Sequence, residues 1–187
     1  VISMRSKQNG FTMIELIVVI VILGILASVA LPRFTNMQRD ARIAKLQAAR
    51  GAVSAAAALV YGAALTRQGQ AQPACPATGV VPTTINAVNG NGQVCTDKGA
   101  VNVTRLYPAA TLAGIVAASG LVPSAGIPTP LQLTSEGYTV AAGGANVTVR
   151  IIGAPNPAAC FFTYTAPAAL GSAATVTAID ATSTAGC

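Results

Sequence analysis

The sequence predicts an α+β protein. Its long N-terminal helix has a transmembrane half and an amphipathic half, packed on a C-terminal antiparallel β-sheet head. Three observations predict it. Residues 11–31 read FTMIELIVVIVILGILASVAL, an apolar run with one charge, Glu15. After Pro32 no proline occurs until position 73, and apolar residues recur at steps of three and four. From Gln70 onward Pro, Gly, Asn and Thr rise, and short alternating runs replace the helical period.

The first run is long enough to cross a bilayer as a helix at about 1.5 Å per residue. Ahead of it lies the polar stretch VISMRSKQNG with Arg5 and Lys7, in which Val1 and Met4 both offer a start. A secretory signal peptide fits less well. The apolar core is longer than such signals carry, and no small-x-small site follows it before the helix continues. A carboxylate inside such a segment costs a few kcal/mol, so Glu15 requires a partner, or a route to the interface one turn away. Gly24 and Pro32 are the helix breakers, glycine being the weakest ordinary helix former and proline lacking a donor. A simple kink at the membrane exit is the plainer reading of Pro32.

Residues 32–68 form the amphipathic half. Phe34, Met37, Ala41, Ala44, Ala48, Ala52, Ala55, Leu59 and Ala63 recur at the helical step. This narrow, small-sided stripe suits close helix approach, its lower half packing on the head. One helix from 11 to 67 would be roughly 85 Å long.

Residues 69–187 make the head. Strands are expected at 101–104, 138–141, 146–152, 159–165 and 175–179, in one antiparallel sheet. Ala142-Gly143-Gly144-Ala145 marks a hairpin, and a short helix is expected over 109–121. The Asn-Val-Thr triplets at Asn102 and Asn146 are too common a pattern to carry a glycosylation site.

Composition excludes several functions. Charged residues make up 9% of the chain, and there is no histidine. Ser-His-Asp and Cys-His nucleophiles and histidine-ligated zinc are therefore ruled out. The acidic residues Glu15, Asp40, Asp97, Glu136 and Asp180 are scattered, so no catalytic residue, cofactor or metal site is expected. The net charge of +6 is concentrated beside the apolar run, with Arg33, Arg39, Arg42, Lys45 and Arg50 after it. That distribution reads as lipid headgroup contact or a solvated helix face. Nucleic acid is not expected as a main partner. Cys75, Cys95, Cys160 and Cys187 all follow the apolar run, which suits disulfides in an oxidising compartment. Four cysteines allow three pairings, and the residues leave them open.

Gly10-Phe11-Thr12-Met13-Ile14-Glu15-Leu16 resembles the processing motif of type IV prepilins. The resemblance implies that residues 1–10 are a cytoplasmic leader removed by a membrane aspartyl peptidase. The cut falls between Gly10 and Phe11, and Phe11 is then N-methylated. It implies that Glu15 pairs with the Phe11 amine of a neighbouring subunit, so that processing switches on assembly into a helical homo-oligomeric filament. It implies unwinding over 24–32 in the filament, and an assembly platform and motor ATPases on other chains. The chain then begins in the inner membrane, single-pass with its N-terminus cytoplasmic, and ends in an extracellular pilus. The positive-inside rule points the other way, with five basic residues after the run against two before it. Access to the peptidase and oxidation of the cysteines outweigh it.

Residues 32–53, Tyr107-Pro108-Ala109-Ala110-Thr111 with the following Ala-Gly-Ile, and Cys160-Phe161-Phe162-Thr163-Tyr164-Thr165 look like the mannose-sensitive haemagglutinin pilin family. That resemblance implies surface attachment or motility and a Cys160–Cys187 disulfide, which leaves Cys75 with Cys95. The alternative is a major pseudopilin of type II secretion, whose head usually holds calcium through clustered acidic ligands. A membrane-anchored enzyme or binding protein is the remaining class.

Overall fold

The computed structural model describes residues 11–30 and 37–187 in full, and the backbone alone of residues 31–36. Helix α1 spans Met13–Arg67, close to the predicted 11–67. It contributes to two units that divide between residues 40 and 41, the first described from residue 11 onward. In the first, Met13–Ala30 is apolar enough to cross a membrane and none of it is buried. The fold is α+β, a long apolar N-terminal helix followed by antiparallel sheets, consistent with a type IV pilin fold.

The second unit holds two antiparallel sheets where the sequence suggested one. The first is β1 (Gly92–Thr96), β2 (Gly99–Thr104) and β3 (Tyr107–Pro108). The second is β4 (Tyr138–Gly143), β5 (Asn146–Ile151), β6 (Phe161–Thr165) and β7 (Thr175–Val176), in that order. Short helices α2 (Pro130–Ser135) and α3 (Ala181–Thr184) complete it, each started by a capping box. The β4–β5 hairpin stands where the Gly-Gly signal placed it, pairing Gly143 with Asn146. Gly144 takes φ +60° at the first turn position, where tight hairpins need positive φ.

Two corrections concern short elements. The helix expected over 109–121 is a π-helical turn, Leu112–Val116, running into one α-turn. Gly114 breaks it with φ −104° and ψ −110°, and a β-carbon there would collide with the Ala109 carbonyl oxygen. The run 175–179 is a strand only at its first two residues, and 159–165 only from Phe161, because Pro157–Ala159 forms a 3-10 turn capped by Asn156.

A third correction concerns the buried face of α1. Leu46, Ala49, Val53, Ala56, Ala57, Val60 and Ala64 face the core. In the predicted stripe, Ala41, Ala44, Ala48 and Ala55 are exposed and Leu59 is 74% exposed. The two stripes differ by about one residue, or 100° of helix rotation. Alanine fits either face, so the larger Leu46, Val53 and Val60 decide which is buried.

Along α1 the core changes partner. Leu46, Ala49 and Val53 pack with Val147, Val149, Phe162 and Tyr164 of the four-stranded sheet and with Ile115 and Leu133. Val60 and Ala64 pack with Ile85, Val94, Val101, Val103 and Leu106. The β2–β3 turn places Arg105 and Leu106 both at positive φ, 53° and 72°, without glycine. Leu106 is buried and its amide donates to Gly90, Arg105 donates from its amide to Asn91 Oδ1, and its guanidinium reaches Pro167. These bonds offset the cost of a conformation that non-glycine residues rarely adopt.

Candidate functional site

The N-terminal end of α1 brings together two of the residues the sequence singled out. Phe11 is almost fully exposed just ahead of the helix, and Glu15 lies in its first turn. Thr12 links them. Its amide and hydroxyl donate to Glu15 Oε2 at 2.9 and 2.8 Å, and its Oγ1 accepts from the Glu15 amide at 3.3 Å. This is a capping box, which holds a carboxylate where the helix dipole favours negative charge. The Thr-x-x-Glu spacing signals it in the sequence, yet the reading passed Thr12 over.

Phe11, Ile14, Glu15, Val18 and Val19 share one side of this turn. Behind them Ile17, Ile20, Leu23, Leu26 and Val29 are all more than half exposed. Ser28, the one hydroxyl within Met13–Ala30, donates back to the Ile25 carbonyl at 2.7 Å. Gly24 and Pro32 both lie inside α1, so the chain is helical through both proposed breakers. Beyond the helix's own backbone, no described residue stands within 4 Å of where a Gly24 side chain would begin, so no described neighbour requires a glycine there. Gly10 and the rest of 1–10 lie outside the described residues.

In the head, Cys160 is bonded to Cys187 and Cys75 to Cys95. The basic side chains have work that the sequence did not reveal. Arg42, Lys45, Arg50, Arg67, Lys98 and Arg105 donate respectively to the carbonyls of Cys187, Glu136, Thr177, Cys95, Pro123 and Pro167. With few carboxylates available, cations satisfy carbonyl acceptors, all but that of Cys95 in segments outside the strands. The Lys45 ammonium also sits 4.6 Å above the Tyr138 ring. Lys45 and the arginines at 42 and 50 thus tie α1 to the head, a role beyond the headgroup contact or solvated helix face expected of them. Among the described residues no three His, Cys, Asp or Glu are grouped to hold a metal ion.

Residues 5–31 match the family model for the prokaryotic N-terminal methylation motif. These findings support a type IV prepilin. The chain is 43% identical over 72 residues to the type IV narrow pilus major component PilA5 of Thermus thermophilus, covering 38% of this chain and 56% of that one. It is 41% identical over 80 residues to a fimbrial protein of Dichelobacter nodosus, 42% and 47% of the two chains. A type IV major fimbrial protein FimA of the same organism is 40% identical over 48 residues, 26% and 31%. The chain thus matches only about half or less of these relatives' lengths. No solved structure matches.

Proposed function

We propose that the chain is the structural subunit of a type IV pilus of the mannose-sensitive haemagglutinin kind. It is cleaved after Gly10, N-methylated at Phe11, and polymerised into a surface filament for attachment or motility. One observation carries the reading: an 18-residue helical span, none of it buried, opens on a carboxylate within the segment that matches the methylation motif. Such a surface is stable in lipid or against other copies of itself, and not in water.

Glu15 has the role of docking guide. Among the described residues its carboxylate meets only the Thr12 hydroxyl and amide, neither of them a cation. The Phe11 amine released on a neighbouring subunit would supply the missing positive charge, and its pairing in a low-dielectric core selects the correct register. Gly24 and Pro32 serve the filament as the ends of a stretch that unwinds on packing. That no described residue packs against Gly24 supports this.

The orientation, N-terminus in the cytoplasm and head outside, is supported by the carbonyl bonds of Arg42, Lys45 and Arg50. Three of the five basic residues that oppose it serve the folded head, which leaves Arg33 and Arg39 against Arg5 and Lys7. Electron microscopy of cells with and without this subunit tests the proposal. Loss of long surface fibres is expected. Normal fibres with a block in protein secretion would instead make the chain a pseudopilin.

A further inference from the structure

The head carries a cleft of about 350 Å³ that filament assembly does not explain. Arg50, Ser54, Ala57 and Tyr61 of α1 line it together with Tyr107 of β3 and Val176 of β7. Its volume lies at the small end of ligand sites, the size for one ring rather than an extended chain.

Its chemistry is specific. The Arg50 Nε donates to the Thr177 carbonyl at 2.7 Å, which fixes the guanidinium and leaves its two Nη groups as an end-on fork. No carboxylate lines the cleft. An anion is therefore favoured, and the planar fork matches a carboxylate. Ser54, Tyr61 and Tyr107 supply three hydroxyls, suited to a ligand rich in hydroxyls, and the alanine and valine walls suit the apolar edge of a ring. The tyrosine rings stack on each other, centroids 4.3 Å apart and planes 17° from parallel. That gap is too narrow to admit a base, so the pair is no slot for nucleotide stacking.

We propose that this cleft binds a sugar unit bearing a carboxylate, a uronic acid, with the carboxylate on the Arg50 fork and ring hydroxyls on Ser54 and the tyrosines. The site goes beyond the filament reading and does not depend on it, because it lies within one chain.

Titration of the detergent-solubilised full chain with D-glucuronate, an oligogalacturonate and D-glucose tests it. Saturable glucuronate binding is expected, with shifted NMR signals at Ser54, Tyr61 and Tyr107. Glucose should bind about tenfold more weakly or worse, for want of the charge-assisted bonds. Arg50→Gln should weaken glucuronate binding by a similar factor, while Arg39→Gln, an exposed cation outside the cleft, should not. Ser54→Ala and Tyr61→Phe repeat the comparison without touching the Thr177 bond, each expected to weaken binding. An oligomer that binds at least as well as the monosaccharide points to a polymeric source, and one that binds worse points to the free acid. The proposal is overturned if glucuronate does not saturate, if glucose binds equally well, or if Arg39→Gln costs as much as Arg50→Gln.

Discussion

The Tyr164 hydroxyl donates to the Pro108 carbonyl at 2.6 Å, joining β6 of the four-stranded sheet to β3 of the three-stranded one. Its ring is fully buried, and burial, with Tyr107 nearby, raises the phenol well above its ordinary range. It therefore remains a donor at any pH the protein meets. Tyr164→Phe keeps the packing and orphans the acceptor. A loss of about 1–3 kcal/mol is expected, read as a lower denaturation midpoint with an unchanged slope.

The buried face of α1 is open to a paired test. Leu46→Ala empties a fully buried site and should cost about 2–5 kcal/mol, whereas exposed Leu59→Ala should stay within about 0.5 kcal/mol. Chemical denaturation of both variants checks it. Equal losses would return Leu59 to the core.

Acid should loosen the C-terminal helix before the sheets. The Asp180 carboxylate accepts from the Ser183 amide at 2.8 Å, and this bond, followed by the Ser183 hydroxyl contact, lowers its pKa from the ordinary 3.8. A lowered carboxylate pKa contributes stability that is present above the ordinary value and lost as pH falls through the folded one. Hydrogen exchange at Ser183 and Thr184 should therefore speed up below about pH 4, and Asp180→Asn should flatten that dependence.

Processing and assembly separate genetically. Replacing Gly10 with a bulky residue should leave residues 1–10 attached, which mass spectrometry reads directly. Glu15→Ala should be cleaved normally yet enter filaments poorly. A cleaved Glu15→Ala chain assembling like the parent would reduce Glu15 to its capping bond with Thr12.

Either disulfide should matter to stability. They span 27 and 20 residues, which the chain-entropy model values alike at about 3–4 kcal/mol. Cys187→Ser should further release α3 and the Arg42 bond, while Cys75→Ser should free the segment leading to β1. Thermal unfolding compares them, and non-reducing peptide mapping of native filaments reads the pairing.

Much of the architecture was legible because its signals are local. The apolar run, the alanine-rich helix and the Gly-Gly hairpin each follow from a handful of neighbouring residues. β1 was missed because Gly92 and the asparagines before it read as loop. The strand exists because Gln93 and Cys95 donate outward to Thr83 and Gln72 while Val94 enters the core. Of the candidate site, Phe11 and Glu15 were visible in the motif. The Arg50–Tyr61–Tyr107 cleft was not, since its residues come together only through folding.

By itself the sequence determined that a membrane-length helix opens on a carboxylate and leads into a β-rich, cysteine-bearing head. Period, length and charge suffice for that. Only the tertiary structure decided which face of an alanine-rich helix is buried, that there are two sheets, and that the basic residues serve backbone carbonyls. Alanine suits core and surface almost equally, so neighbours of larger volume had to choose the face. Carbonyls of irregular loops carry no sequence signature, so their cationic partners emerge only when distant segments meet.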